Sequence, residues 1–141
     1  MEYNIREVRP DDFDDLFVLV EQFVTSFEPD RAGFELCLRH LMPNEAAKLL
    51  VAEFNNQAIG YCLGFDHYTF YANNRVAWVE EITVKAEFRR QGIGRALMAE
   101  FEAWAESRGS KLVGLATRRA APFYIALGYS ESAIYFRKLL L

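Results

Sequence analysis

Hydrophobic positions in the first forty residues follow two different spacings. Residues 3–8 alternate between apolar and polar, which predicts a short β-strand. After Pro10-Asp11-Asp12 the apolar residues return at helical spacing, at Phe13, Leu16, Phe17, Val20 and Phe23. A second helical stripe, formed by Phe34, Leu38 and Leu41, follows Glu28-Pro29-Asp30 and stops near Met42-Pro43-Asn44. We therefore expect one strand followed by two helices.

From Ala46 onward the spacing becomes that of extended strands. Residues 49–54 and 58–65 flank the turn-forming pair Asn55-Asn56, and residues 76–84 follow a second turn at Asn73-Asn74. This pattern predicts an antiparallel meander of three strands.

The last third of the chain predicts helices and strands in alternation. A helix over residues 93–108 turns Ala96, Leu97, Phe101 and Trp104 inward, and Gly109 is suited to the position after its end. Residues 112–116 predict a short buried strand, 120–127 a short helix ended by Gly128, and 133–139 a final strand. The whole order indicates a single domain over residues 1–141, with a mixed sheet covered by helices.

Composition and charge argue against a membrane or a nucleic acid as a partner. The apolar fraction is 52%, but charges interrupt every apolar run well before the roughly 20 residues of a membrane span. The first residues lack the basic and apolar regions of a secretory signal, so we expect a globular cytoplasmic protein with no membrane partner. The net charge is −4 and no basic run suits a nucleic-acid backbone. Acidic residues crowd the first thirty positions while arginines lie in the second half, which favours an anion there.

Cysteine and histidine offer little chemistry. Cys37 and Cys62 have flanks typical of a buried helix face and a buried strand, so we expect two reduced core thiols and no cysteine nucleophile. His40 and His67 lack a second ligand at metal spacing, so no metal is expected.

A glycine-containing turn between the third strand of the meander and the long helix is the strongest chemical signal. The segment reads Arg89-Arg90-Gln91-Gly92-Ile93-Gly94-Arg95. Unpaired N–H groups at a helix start form an anion site, and glycines let a phosphate approach the backbone. A tight turn without a ligand is the simpler alternative. A dinucleotide-binding fold is disfavoured because Leu97 stands where its fingerprint needs a third Gly or Ala. A P-loop is disfavoured because the sequence contains no Gly-Lys-Ser/Thr.

Two ordered motifs resemble the GNAT superfamily of N-acetyltransferases. Arg89-x-x-Gly92-x-Gly94 follows a strand ending in Val84, and residues 120–129 resemble the family's late Ala-x-x-Phe-Tyr-x-x-Leu-Gly-Phe block. The resemblance covers about residues 46–139. It implies an α/β (α+β) GNAT fold, with a mixed, largely antiparallel central sheet of about seven strands flanked by about four helices.

The same resemblance assigns coenzyme contacts and a catalytic tyrosine. The backbone of Ile82, Thr83 and Val84 would pair with the pantetheine arm of acetyl-CoA, and the Val84 N–H would face the thioester oxygen. The residues implied around the pyrophosphate are Arg89, Arg90, Gln91, Gly92, Ile93, Gly94 and Arg95. Thr117, where many relatives carry Asn, would be a further contact, and Phe123 is either a coenzyme contact or a core residue. Tyr124 would protonate the leaving thiolate.

The remaining site candidates concern the acceptor. Glu80 and Glu81 are adjacent in a strand, so they should point to opposite faces and only one should reach the cleft as a general base. Comparison of spacing favours Glu80 slightly, and a structural salt bridge is the alternative. Tyr68 and Tyr71 are either substrate contacts or strand-end packing.

The predicted function is acetyl-CoA dependent N-acetylation of a primary amine of a small molecule or peptide, by direct transfer in a ternary complex and without a metal. The acidic N-terminal segment favours a cationic acceptor. The alternative is a non-catalytic acyl-CoA-binding or regulatory module with the same fold. Tyr135 and Phe136 on the predicted last strand are either core residues or the edge of a homodimer, and relatives are often dimers.

Overall fold

The computed structural model describes residues 1–23 and 26–141, and these residues contain one five-stranded sheet in the order β1-β2-β3-β4-β5. Neighbours from β1 to β4 are antiparallel, and β5 runs parallel to β4. The strands are β1 Asn4–Glu7, β2 Ala47–Phe54, β3 Gln57–Tyr68, β4 Arg75–Val84 and β5 Val113–Leu115. The α-helices are α1 Phe13–Gln22, α2 Arg31–Leu41, α3 Ile93–Ser107 and α4 Ala121–Ala126. No helix in the described ranges is long and apolar enough to cross a membrane.

Local capping chemistry explains where the helices begin and end. The Asp30 carboxylate accepts a hydrogen bond from the Gly33 N–H at 2.8 Å and caps the start of α2. At the end of α3, Gly109 takes a left-handed φ of 89°, its N–H donates to the Glu106 carbonyl, and the Ser110 N–H donates to the Ala105 carbonyl. This pair of bonds is a Schellman motif, so the predicted C′ position of Gly109 is confirmed.

The two faces of the sheet carry separate apolar cores. On one face α1 and α2 bury Leu16 and Leu38 against Tyr61 and other residues of β2 and β3. On the opposite face α3 buries Leu97 and Phe101 against the sheet. Adjacent residues of a strand alternate between these two cores, as the pleat requires.

The distance between α3 and the sheet is set at Gly64 in β3. A Cβ atom at this position would overlap the Phe101 ring and would lie 2.6 Å from the Trp78 carbonyl oxygen. Because Gly64 has no side chain, the Phe101 ring packs directly on the backbone of β3.

The predicted last strand over residues 133–139 is wrong, and the described residues form a sheet of five strands instead of about seven. Residues 130–141 form no helix or strand, and every residue from 131 to 141 is exposed. The chain leaves the sheet edge here: the Tyr135 ring stacks on Trp78 with centroids 6.2 Å apart, and the Arg137 guanidinium donates to the Ser26 hydroxyl at 2.7 Å. A strand needs a paired neighbour, which this segment lacks among the described residues. Tyr135 and Phe136, which are 62% and 85% exposed, are therefore not core residues of this chain.

Only one of the two predicted core thiols is buried. Cys62 lies in the core of the α3 face, where burial raises its pKa to about 12. Cys37 is exposed, because the inward stripe of α2 passes beside it. The two thiols are not bonded to each other, as expected.

We predict that Gly64→Ala lowers the free energy of unfolding by about 1–3 kcal/mol, because the added methyl group overpacks the contact between β3 and Phe101. Chemical denaturation of both proteins measures the difference. The matched control is Gly114→Ala in β5, where the new Cβ would lie 3.3 Å from the nearest Trp78 ring atom, an adjustable side-chain contact. Equal losses in the two variants would contradict this explanation.

Candidate functional site

A β-bulge opens the sheet between β4 and β5. Leu63 pairs with Glu81 whereas the next residue of β3, Gly64, pairs with Val79, so Glu80 is the extra residue of β4. The parallel pairing of β4 with β5 also stops at Val79. Beyond this point β4 continues to Val84, and no strand among the described residues lies on its β5 side. The two strands therefore leave a gap.

Backbone groups of β4 face this gap. The Lys85 N–H donates to the Ile59 carbonyl on the β3 side at 2.7 Å. Since antiparallel strands bond at alternate residues, Ile82 and Val84 present their N–H and C=O groups to the other side. The Val84 carbonyl already accepts a hydrogen bond from Arg89 Nε at 3.0 Å. An extended polar ligand in the gap would thus meet free donors and acceptors, as an added strand does.

The glycine-containing turn lies at the end of the same strand. Arg90 and Gly92 have left-handed φ angles of 64° and 83°, and Gly92 is the N-cap of α3. The Tyr3 hydroxyl donates to the Gly92 carbonyl at 3.3 Å and ties the turn to the N-terminal segment. The first N–H groups of α3, those of Ile93, Gly94 and Arg95, find no acceptor in the described parts of the chain. These donors point out of the helix start, where its dipole is positive.

Positive side chains and an aromatic ring surround these donors. Arg89, Arg90 and Arg95 are exposed, and none forms an ion pair with a carboxylate of residues 1–23 or 26–141. A Cβ atom on Gly94 would lie 3.3 Å from the Phe123 ring, so Phe123 of α4 packs on the turn. The Phe123 side chain is 37% exposed, so Phe123 is not a core residue. The turn has the free N–H groups and the charge that a pyrophosphate requires.

Two side-chain hydroxyls lie near the start of α4, that of Thr117 before the helix and that of Tyr124 within it. The Thr117 hydroxyl oxygen accepts from the Ala120 N–H at 3.0 Å and retains its own hydrogen for a ligand. Tyr124 is 8% exposed, and the rings of Phe123 and Tyr129 pack edge-to-face against it with centroids 4.9 and 5.9 Å away. Burial raises the pKa of Tyr124, so it remains a proton donor at neutral pH. Its hydroxyl has no hydrogen-bond partner within the described chain, and Tyr124 lines the groove between β5 and α4.

Glu80 and Glu81 lie on the same face of the sheet, contrary to the expected alternation. The Glu81 carboxylate accepts from the Tyr61 hydroxyl at 2.7 Å, and Tyr61 belongs to the core under α1 and α2. The Glu80 carboxylate accepts from the Trp78 indole N–H at 3.0 Å, and Trp78 pairs across the strands with Phe65 of that same core. The bulge at Glu80 breaks the two-residue period and turns both carboxylates to this side.

Glu81 reaches a cavity that Glu80 does not line. This cavity, which we name the acceptor cavity after the amine acceptor that the sequence predicts, has a volume of about 460 Å³ and lies between β2–β4 and the helices α1 and α2. Apolar side chains form most of its wall, among them Leu16, Val20, Phe34, Leu38, Leu49 and Leu63. Its polar side chains are Glu28, Asp30, Tyr61 and Glu81, and no basic residue of the described chain lines it. Burial and the adjacent Glu81 raise the pKa of Tyr61, so its hydroxyl stays protonated and keeps Glu81 in place.

Neither Tyr68 nor Tyr71 lines the cavity that Glu81 reaches, whereas Tyr71 lines the groove that Tyr124 also lines. Tyr68 pairs with Arg75 at the far end of β4, nine positions and about 30 Å from Val84. The Arg75 guanidinium lies over its ring at 4.3 Å, and Tyr71 is an exposed residue of the following turn. Strand-end packing, the alternative reading of Tyr68, agrees with this position.

Sequence reasoning missed Tyr61, Tyr3 and the acceptor cavity. Tyr61 stands among apolar residues of a predicted strand, and a lone tyrosine there is the only local signal. The hydrogen bond from its hydroxyl to Glu81 depends on the register between β3 and β4, and the Tyr3 hydroxyl bonds to a residue 89 positions away. These contacts are products of tertiary structure.

A split α+β sheet, with free backbone groups in the gap and a helix start with free N–H groups beside it, is the architecture that the resemblance to the GNAT superfamily implies. The chain belongs to the acetyltransferase (GNAT) family, whose family model matches residues 10–129. The resemblance seen in the two sequence motifs is thereby confirmed.

Individual relatives agree with this assignment. An uncharacterized N-acetyltransferase of Methanocaldococcus jannaschii is 28% identical over 141 residues, a match that spans 94% of this chain but 62% of that longer protein. Aminoglycoside N(6')-acetyltransferase type 1 of Acinetobacter genomosp. 13 is 29% identical over 118 residues, covering 77% of this chain and 81% of that protein. The structure of AAC(6')-Iy in complex with the bisubstrate analogue CoA-S-monomethyl-acetylneamine has the same fold, with a TM-score of 0.81 at 19% identity over 99% of both chains.

Proposed function

We propose that the protein is an acetyl-CoA dependent N-acetyltransferase that acetylates a primary amine directly in a ternary complex. The observation that carries this proposal is that the gap between β4 and β5 leads directly to the positively charged start of α3. One strand thus offers backbone pairing to an extended arm and leads straight to a pyrophosphate site. The CoA-containing analogue named for AAC(6')-Iy supports the same choice of ligand.

The coenzyme side of the proposal uses the turn and the gap. The N–H groups of Ile93, Gly94 and Arg95 hold the pyrophosphate, with positive charge from Arg89, Arg90 and Arg95. Gln91 and the Thr117 hydroxyl are further polar contacts. The backbone of Ile82, Thr83 and Val84 holds the pantetheine arm, and the Val84 N–H donates to the thioester oxygen as negative charge develops there.

The acceptor side uses Glu81 and Tyr124. Glu81 takes the proton of the substrate ammonium, directly or through water, and the neutral nitrogen forms the new C–N bond to the acetyl carbon. The C–S bond then breaks as the Tyr124 hydroxyl gives its proton to the sulfur, and the nitrogen releases its second proton to solvent, from which Tyr124 regains one. No covalent enzyme intermediate is needed, and Cys62 is held as an inert buried thiol by its raised pKa of about 12.

The acceptor cavity favours an amine with an apolar body. Its wall is mostly aliphatic and aromatic, while its charged side chains, Glu28, Asp30 and Glu81, are all acidic. A cation gains from these carboxylates, and an apolar body gains from leaving water. A free thiol at Cys37 and use of acetyl-CoA fit a cytoplasmic protein.

Titration calorimetry with acetyl-CoA tests the coenzyme site. We expect micromolar binding that Gly92→Glu abolishes, because a carboxylate at the helix start repels the pyrophosphate. Gly92→Ala is the matched control: it carries the same left-handed backbone cost, about 1 kcal/mol, without charge or bulk, and should retain binding within about tenfold. Absence of binding to the wild-type protein at millimolar acetyl-CoA, or preference for NAD, would refute the proposal.

Comparison of Glu81→Gln with Glu80→Gln identifies the base. We expect Glu81→Gln to lower kcat/KM for a primary amine by about 10²-fold or more at pH 7 and to lose less at high pH, where the amine is already neutral. Glu80→Gln should change it less than about threefold, since Glu80 only accepts from Trp78 at the surface. Thiol release from acetyl-CoA reports both rates. The reverse order of effects would move the base to Glu80.

Replacement of Tyr124 by Phe tests the proposed acid. We expect kcat to fall by about 10²-fold while acetyl-CoA affinity stays within about twofold, because the ring remains packed and only the proton donor is lost. Tyr129→Phe is the control, since its hydroxyl donates to Glu102 at 2.5 Å and serves the fold. Unchanged turnover in Tyr124→Phe would remove its role. Binding without turnover in the wild-type protein, for every amine offered, would instead favour the acyl-CoA-binding module.

A further inference from the structure

The side chain of Tyr3 reaches the turn at Gly92 from the opposite end of the chain. Tyr3 directly precedes β1, and its ring packs against the core on the α3 face of the sheet. Its hydroxyl donates to the Gly92 carbonyl at 3.3 Å. Apart from the residues adjoining Gly92, this hydroxyl is the only atom of the described residues that would lie within 4 Å of a Cβ there, at 3.8 Å. Tyr3 therefore supports the turn from outside.

Gly92 is a flexible residue in a place where the site needs one conformation. Its φ of 83° is a left-handed value that glycine adopts and leaves at little cost. The Ile93 side chain that follows is buried in the core on the α3 face, so the helix is fixed from this residue onward. The peptide unit between Gly92 and Ile93 thus joins a flexible residue to a fixed helix. Its orientation depends on the hydrogen bonds that its own carbonyl accepts.

Two donors hold that carbonyl. The Ala96 N–H donates to the Gly92 carbonyl oxygen at 3.0 Å within the first turn of α3, and the Tyr3 hydroxyl donates to the same oxygen. Because a trans peptide is planar, its C=O and N–H groups point in opposite directions, so a fixed Gly92 carbonyl also fixes the Ile93 N–H. Hydrogen bonds to the carbonyl polarise the peptide and strengthen that N–H as a donor. The Ile93 N–H is the first of the free donors at the helix start.

The sheet holds Tyr3 in place for this contact. Asn4, the next residue, pairs with Glu53 of β2. The Arg6 guanidinium forms ion pairs with Asp12 at 2.7 Å and with Glu53 at 2.6 Å, and its side chain is largely buried. Charged hydrogen bonds of this kind fix the position of β1 on the sheet. The Tyr3 hydroxyl therefore reaches the turn from a rigid support.

We propose that Tyr3 is a positioning residue of the coenzyme site and acts through the Gly92–Ile93 peptide, which it orients so that the Ile93 N–H faces the pyrophosphate. Tyr3 itself need not touch the ligand. A turn that is already held in the binding conformation does not lose the freedom of Gly92 when the coenzyme binds, and affinity rises accordingly. The inference rests on the coenzyme site proposed above and adds to it a residue from the other end of the chain.

Replacement of Tyr3 by Phe removes the hydroxyl and keeps the ring. We expect the dissociation constant of acetyl-CoA, measured by titration calorimetry, to rise about three- to tenfold, which is the effect of one lost hydrogen bond. Tyr129→Phe is the matched control, because it also removes a hydroxyl that joins two elements, the one that donates to Glu102. It should leave the dissociation constant within about twofold.

The amide resonance of Ile93 separates positioning from general stability. Loss of the hydrogen bond to the Gly92 carbonyl changes the polarisation of the peptide, so the Ile93 resonance should move in ligand-free Tyr3→Phe, while that of Ala105 near the end of α3 should not. Tyr3→Leu also removes the ring packing. It should lower the free energy of unfolding further, yet raise the dissociation constant of acetyl-CoA no more than about twofold beyond Tyr3→Phe.

The outcomes that contradict the role of Tyr3 differ from those that contradict the coenzyme site. An unchanged dissociation constant in Tyr3→Phe, an unmoved Ile93 resonance, or an affinity that falls in step with stability from Phe to Leu would overturn the role of Tyr3 alone. Equal effects of Tyr3→Phe and Tyr129→Phe would do the same. Failure of the wild-type protein to bind millimolar acetyl-CoA would overturn the coenzyme site and this inference together.

Discussion

The bulge at Glu80 is the constraint on which the rest of the site depends. It adds one residue to β4 opposite Leu63 and Gly64 and coincides with the end of pairing to β5. Without it, β4 and β5 would continue side by side and their backbone groups would bond to each other. With it, the last residues of β4 keep unpaired groups inside the molecule, at a cost that only a ligand or water offsets. The rigid packing of Phe101 on Gly64 holds β3 and α3 while the sheet opens.

The same bulge places two kinds of chemistry on the two sides of β4. The end of the strand leads into the turn at Gly92, where free N–H groups and arginines favour phosphate. The altered alternation turns Glu81 toward the acidic acceptor cavity under α1 and α2. In the proposed reaction, an anionic ligand and a cationic one therefore approach one strand from different directions. Each is attracted to its own side by charge of the opposite sign.

Sequence reasoning succeeded where the signal is local. Asp30, Gly109 and the turn at Gly92 are capping or turn residues whose role depends on a few neighbours, and the elements that they delimit lie where they were expected. It failed where the outcome depends on contacts distant in the chain. The bulge that brings Glu80 and Glu81 to one face is a shift in the register between β3 and β4. The exposure of Cys37 depends on how α2 is rotated on the sheet.

Residues 133–139 show the same limit most clearly. Their apolar alternation predicts a strand, yet pairing is a property of two segments and the pattern identifies only one of them. In this chain the segment contacts Trp78 and Ser26 and does not pair with β5. An apolar alternation is therefore a necessary condition for a strand at a sheet edge, and it does not identify the neighbour with which that strand would pair.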